Sequence, residues 1–172
     1  MKALVVYSSL TGNTKAVAEA VAAGLGEAAT LAPAAEAPGP EGFDIVVCCF
    51  WVDKGRADKA SREYYGRLSS ARTAICYTLG AYPDSEHADM VDARAREDLE
   101  RNGNTVLGSF RSQGKVDPNL LELMKEKLPP DHPHAKMTRE RRELLDEASL
   151  HPDAGDLKRA RDFGSGLLAL AG

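Results

Sequence analysis

The chain lacks any apolar run near the roughly 20 residues that span a bilayer, so no membrane partner is expected. It lacks the layout of a secretory leader, because Met1-Lys2 leads straight into an apolar stretch, which points to a cytoplasmic protein. It has few cysteines: Cys48, Cys49 and Cys76 include no Cys-x-x-Cys pair, so they are expected to be buried, reduced thiols. An excess of basic charge is also missing. With 22 Lys and Arg against 26 Asp and Glu the net charge is −4, which argues against a nucleic-acid partner. No Gly-Lys-Ser/Thr and no G-x-G-x-x-G occurs, which excludes the usual triphosphate and dinucleotide loops. His132-Pro133-His134 stands without clustered cysteines or carboxylates, so no metal site is expected. Without repeats or low-complexity tracts, residues 1–172 are expected to form a single domain.

What is present begins with Ala3-Leu4-Val5-Val6-Tyr7, a short apolar run that reads as a buried strand. Ser8-Ser9-Leu10-Thr11-Gly12-Asn13-Thr14 follows, and then Val17, Val21 and Leu25 recur at helical spacing. Strand, hydroxyl-rich turn and helix start make an anion site. The first helical N–H groups lack intrahelical partners, and the helix dipole favours negative charge there. Ser9, Thr11, Asn13 and Thr14 offer neutral donors and only Lys15 is basic nearby, so a monophosphate without a cationic clamp is the reading.

Along the chain, Gly24 and Gly26 read as a helix stop, Ala28–Ala32 as a weak strand and the Pro- and Gly-rich Pro33–Gly42 as a loop. Asp44–Phe50 is the clearest buried strand, followed by the loop Trp51-Val52-Asp53-Lys54-Gly55 and a helix over Ala57–Leu68. Arg72–Tyr77 is a strand, Thr78–Ser85 a loop, Glu86–Arg101 a helix and Asn104–Phe110 a fifth strand. Strands alternating with helices predict an α/β fold of parallel β-α-β units. The 111–150 stretch, with helices expected over Pro118–Lys127 and Thr138–Ser149, is an insert before a last helix near Asp153. It leaves the ligand side of the sheet, where it would cover a ligand or form a docking surface.

Ser9-Leu10-Thr11-Gly12-Asn13-Thr14 resembles the T/S-x-T-G-x-T phosphate loop of the flavodoxin family. The resemblance implies a three-layer fold with a five-stranded parallel sheet of order 2-1-3-4-5, and FMN at the switch point between the first and third strands. Ligands of such open sheets sit outside the strands' carboxyl ends, where the loops after strands one, three and four converge. The resemblance also implies that Trp51 and Tyr82, one in each of the two later loops, stack on the ring. The FMN contacts it implies are Ser8, Ser9, Leu10, Thr11, Gly12, Asn13 and Thr14 for the phosphate. For the ring they are Trp51, Val52, Asp53, Lys54, Gly55, Thr78, Leu79, Gly80 and Tyr82.

One position departs from the pattern. Many flavodoxins carry Gly directly after the loop tryptophan, where a peptide flip accepts a hydrogen bond from the one-electron-reduced ring. Here that residue is Val52, and Gly55 lies too far along to replace it. Positive φ at a β-branched residue costs about 1–2 kcal/mol, and about 1.36 kcal/mol is one decade, so a poorly stabilised one-electron form is expected. Asp84, Ser85, Glu86 and His87 read as a helix start. Gln113-Gly114-Lys115 is a candidate for the ring edge or a partner, and basic Lys136–Glu143 for a solvated helix face.

The implied function is electron transfer by FMN from a reductase to an acceptor enzyme, with no catalytic acid or base required. The loop Thr78–His87 and the long insert are further similar to flavodoxin-like proteins that accompany bilin reductases. The alternatives are an FMN-dependent NAD(P)H:acceptor oxidoreductase, or a flavodoxin-shaped interaction module without cofactor. Fold alone does not choose among them.

Overall fold

A computed structural model describes residues 1–133 and 135–171; His134, part of the His132-Pro133-His134 motif, lies outside the described residues. Six strands, β1 (Ala3–Tyr7), β2 (Ala29–Pro33), β3 (Ile45–Asp53), β4 (Arg56–Ala57), β5 (Arg72–Leu79) and β6 (Thr105–Gln113), form one sheet. The helices are α1 (Asn13–Leu25), α2 (Lys59–Tyr65), α3 (Glu86–Glu100), α4 (Pro118–Lys127), α5 (Arg139–Ala148) and α6 (Ala154–Ala171). The five long strands are parallel in the order β2-β1-β3-β5-β6, which is the expected 2-1-3-4-5, and β4 is an addition that pairs antiparallel with β3.

The layering follows from a period of two in strands buried on both faces. Leu4, Val6, Val46, Cys48, Phe50, Ile75 and Tyr77 point to the face that carries α2 and α3, where Phe50 stacks on Tyr77 with centroids 5.0 Å apart. Ala3, Val5, Ile45, Val47, Cys49, Ala74 and Cys76 point to the opposite face, under α1 and α6. The cysteines are free and buried, as expected, and burial pushes the Cys48 and Cys49 thiols up, which makes them poor nucleophiles.

Several expected boundaries move. Trp51-Val52-Asp53, Thr78-Leu79 and Arg111-Ser112-Gln113 are strand rather than loop or insert, because neighbouring ends pair with each other: Trp51 with Thr78, and Leu79 with Gln113. Beyond Trp51 the chain turns back as a hairpin, with Val52 opposite Ala57 and Asp53 opposite Arg56. Its two turn residues, Lys54 (φ 50°) and Gly55 (φ 75°), both have the left-handed conformation that matches the twist of a two-residue hairpin. The second helix therefore starts at Lys59 instead of Ala57, where the Asp58 carboxylate accepts the Ala60 and Ser61 N–H groups.

Gly24 is not part of the helix stop, which falls at Gly26 (φ 63°). It lies inside α1, where a Cβ would sit 2.0 Å from the Arg161 carbonyl oxygen of α6; a Cβ on Gly164 would sit 2.2 Å from that of Val21. The two helices thus meet backbone to backbone. The excursion through α4 and α5 leaves and rejoins the fold at one place, where the Lys115 N–H donates to the His151 carbonyl at 3.0 Å. No residue of α4 is buried.

Candidate functional site

At the carboxyl ends of β1, β3, β5 and β6 a small, open cleft of about 100 Å³ lies beside the N-terminus of α1. Leu10, Thr11, Asn13 and Thr14 come to it from the first turn and helix, and Trp51, Val52, Thr78, Leu79 and Gly80 from the ends of β3 and β5, all expected from sequence. Gly114 adds the start of the excursion, and Lys115, Val116, Asp117 and Leu120 complete the wall.

The helix end facing this cleft is open. Gly12, at φ 97°, occupies the cap position without a side-chain hydrogen bond, and the first turn of α1 contains no acid. Left-handed backbone there favours glycine and lets the loop fold over the helix axis. Ser9 Oγ accepts the Gly12 N–H at 3.0 Å, which shapes the turn from within. Thr11 is exposed. Leading N–H groups without a side-chain cap, next to a positive dipole end, form a site for an anion.

Not every predicted hydroxyl faces that site. Ser8 Oγ donates to Asp58 at 2.8 Å and thereby ties β1 to the cap of α2. Thr14 Oγ1 lies 2.7 Å from Thr78 Oγ1 in a buried pair that pins the first turn of α1 to β5. Asn13 Nδ2 donates to the Lys115 carbonyl at 2.9 Å, so the loop and the excursion brace each other. A Cβ on Gly114 would sit 2.9 Å from that Asn13 nitrogen, and one on Gly80 would sit 2.4 Å from Val116 Cγ2; both glycines permit a close approach. Gln113 Nε2 donates to the Gly80 carbonyl at 3.3 Å.

The two aromatics separate. Trp51 is half-buried and lines the cleft, whereas Tyr82 is 45% exposed and is not among its lining residues. Asp53, Lys54 and Gly55 belong to the hairpin, with the Gly55 carbonyl held by Arg94 Nη1 at 2.8 Å. Ser85 caps α3 by accepting the Ala88 N–H, as its sequence neighbourhood suggested. Val116, Asp117 and Leu120 were not legible as site residues, because they arrive from a segment whose packing has no local signature.

Near the cleft, His151 bonds Asp156 through Nδ1 and lies 3.3 Å from Glu147 through Nε2. Asp156 also accepts the Asp153 N–H at 2.8 Å and pairs with Arg159, while Asp153 Oδ1 accepts the Asp156 N–H at 2.8 Å. His151, Asp153 and Asp156 thus cluster as the start of α6. Hydrogen bonding to Asp156 raises the His151 pKa above its ordinary value.

A doubly wound parallel sheet with an open helix N-terminus at its switch point defines a nucleotide-type α/β protein. The chain belongs to the flavodoxin family: the family's Flavodoxin domain model matches residues 4–165. It is 32% identical over 177 residues to the Flavodoxin-like domain-containing protein BilS of Clostridioides difficile (strain CD3), covering 99% of this chain and 98% of that one. A protein of the same description from Clostridium symbiosum (strain WAL-14163) is 29% identical over 185 residues, with coverage of 95% and 94%. Among solved structures, a short-chain flavodoxin associated with a non-canonical PDU bacterial microcompartment shares the fold, with a TM-score of 0.62 at 17% identity and full coverage of both chains. FMN is the cofactor of this family, its general function is electron transfer, and its members act with redox partners. No helix among the described residues is long and apolar enough to cross a membrane.

Proposed function

We infer that this chain is an FMN-dependent electron carrier that takes electrons from a reductase and delivers them to an acceptor enzyme. The observation that carries the reading is the uncapped, acid-free N-terminus of α1 opening onto a cleft walled by Trp51. Those residues fit FMN. A phosphate finds neutral donors and a dipole at Ser9, Leu10, Thr11, Gly12 and Asn13, and a flat ring finds Trp51, Val52, Leu79, Val116 and Leu120 on apolar walls. Thr14 and Thr78, paired with each other, hold the loop in place, and Ser8 anchors it through Asp58. Tyr82, Asp53, Lys54 and Gly55 are not among the residues that line the cleft. When bound, FMN supplies the redox chemistry, and the protein supplies binding, orientation and exclusion of water. The similarity of the Thr78–His87 loop and the long insert to flavodoxin-like proteins that accompany bilin reductases makes a bilin reductase the acceptor of choice.

One observation favours two-electron behaviour. Val52 is fixed opposite Ala57 in the hairpin ladder, so rotating its peptide would break ladder pairing in addition to the cost of positive φ, about 1–2 kcal/mol. This is the feature that would suit an FMN-dependent NAD(P)H:acceptor oxidoreductase. Both readings are tested by adding FMN to the purified protein, then reducing it stepwise without oxygen while the absorption spectrum is recorded. Stoichiometric FMN uptake, little accumulation of a one-electron form and negligible NAD(P)H oxidation by the protein alone are expected of the carrier. Rapid NAD(P)H oxidation would make the enzyme the better reading, and failure to take up FMN would overturn both.

A further inference from the structure

Asp58 is a carboxylate in a place where charge is costly. It is 2% exposed, and the four hydrogen bonds its side chain accepts all come from uncharged donors. Oδ1 accepts the Ser8 hydroxyl at 2.8 Å and the Ala60 and Ser61 N–H groups at 3.0 and 3.3 Å, and Oδ2 accepts the Ser61 hydroxyl at 2.8 Å. Four donors match the roughly four lone-pair sites of a carboxylate. Capping α2 uses only the two N–H groups, and serine or asparagine caps a helix as well without burying a charge. The cap alone does not account for this residue.

The other contacts of Asp58 lead to the flavin cleft from two sides. Ser8 stands between β1 and the phosphate turn, and its N–H donates to the Cys49 carbonyl of β3 at 3.0 Å. The Asp58 N–H donates to the Trp51 carbonyl at 3.2 Å, and Trp51 walls the cleft. One buried residue thus holds the base of the anion-binding turn through its side chain and the aromatic wall through its backbone. Its carbonyl accepts the Arg62 N–H at 3.1 Å, so every polar atom of Asp58 is engaged.

A buried polar network that is fully satisfied fixes one arrangement, because moving any member strands its partner without a hydrogen bond. A cofactor with a phosphate at one end and a flat ring at the other needs two holding points at a set separation. Ser9 Oγ shapes the turn from within. The chain Ser8–Asp58–Trp51 sets where that turn stands relative to the wall. Trp51 is held a second time, by strand pairing with Thr78, so it keeps its place when the Ser8 link is cut. The phosphate end is therefore the one that depends on the Asp58 side chain.

We propose that Asp58 is a positioning residue of the cofactor site, holding the phosphate turn through Ser8 at a fixed place against the Trp51 wall and so making the site select FMN over the same flavin without its phosphate. This rests on the FMN reading above. Asp58 is not among the residues that line the cleft; it acts through Ser8 and Trp51.

The test is titration of the purified protein with FMN and with riboflavin, read by the quenching of flavin fluorescence, in the parent, Ser8→Ala, Asp58→Ala, their double variant and Asp58→Asn. The preference for FMN over riboflavin should fall about ten-fold in Ser8→Ala and in Asp58→Ala, and no further in the double variant, because both cut the same link. Asp58→Asn should keep the parent's preference, since its amide oxygen still accepts from Ser8 and its nitrogen can donate to the Ser61 hydroxyl. A loss of stability alone weakens both flavins alike and does not move this ratio. A parent-like preference in Ser8→Ala overturns the proposal, as do additive losses in the double variant or an Asp58→Asn protein as impaired as Asp58→Ala. If Asp58→Ala does not fold, Ser8→Ala and Asp58→Asn still decide. A parent that binds neither flavin overturns the FMN reading and this proposal with it, whereas a failure among the variants overturns this proposal alone.

Discussion

At the scale of single residues, the hydroxyls that looked like ligands from sequence divide by the direction they face. Thr14 and Thr78 spend theirs on each other, 2.7 Å apart and buried. Thr14→Val keeps the shape but leaves the Thr78 hydroxyl without its partner, at a cost of about 1–3 kcal/mol. The double variant Thr14→Val/Thr78→Val should recover most of that loss, since removing both partners together can be nearly neutral. Urea denaturation of the four proteins gives the coupling directly, and additive losses would show that the pair is not a unit. The motif Ser9–Thr14 was legible as an anion turn because its pattern is contiguous. The role of Thr14 within it was not, since its partner lies on β5. Val116 and Leu120 were out of reach for the same reason, whereas Trp51 was found because the resemblance places an aromatic residue just past the most apolar run.

At the scale of elements, the existence and order of nearly every strand and helix followed from periodicity, and the errors gathered at the ends. Strands β3, β5 and β6 each run two or three residues past their expected ends because each finds a neighbour to pair with there. Cross-strand partners are non-local, so no single stretch announces them. The hairpin of β3 and β4 had one visible sign, Gly55 in the second turn position, but Lys54 ahead of it is not a typical companion. The glycines of the α1–α6 contact show most clearly how packing overrides local preference. By propensity alone, Gly164→Ala would stabilise α6 by about 1 kcal/mol. Because its new methyl meets the Val21 carbonyl, the expected outcome is the opposite: a loss of at least about 1–3 kcal/mol, the range for overpacking. A thermal melt decides the sign, and stabilisation would mean that the helices separate easily.

At the scale of the whole molecule, His151 joins three parts of the fold. Its ring bonds Asp156 at the start of α6 and Glu147 of α5, and its carbonyl accepts from Lys115 beside the cleft. Its pKa is raised above the ordinary 6.5, so the protonated form is favoured by folding. That contribution is fully present below pH 6.5 and fades as pH rises through the raised value. Global denaturation of the parent and of His151→Gln, compared across pH 5 to 9, should therefore show a gap that is widest at the acid end and narrows with rising pH. A gap that widens with pH would reverse the assignment. Asp153 is lowered, chiefly by the Asp156 N–H, which works in the other direction only at much lower pH.

The meeting of Lys115 and His151 has an evolutionary consequence. The 35 residues between them start and finish at one point on the sheet's edge, and no residue of the first helix they form is fully buried. Chain length there is decoupled from the architecture beneath it, because loop-closure entropy changes by only about 0.6 kcal/mol for each doubling. Selection can lengthen, shorten or re-code that segment with the parallel sheet left as it is. A change of length there would leave the sheet intact and be felt at the cleft, through Val116, Asp117 and Leu120.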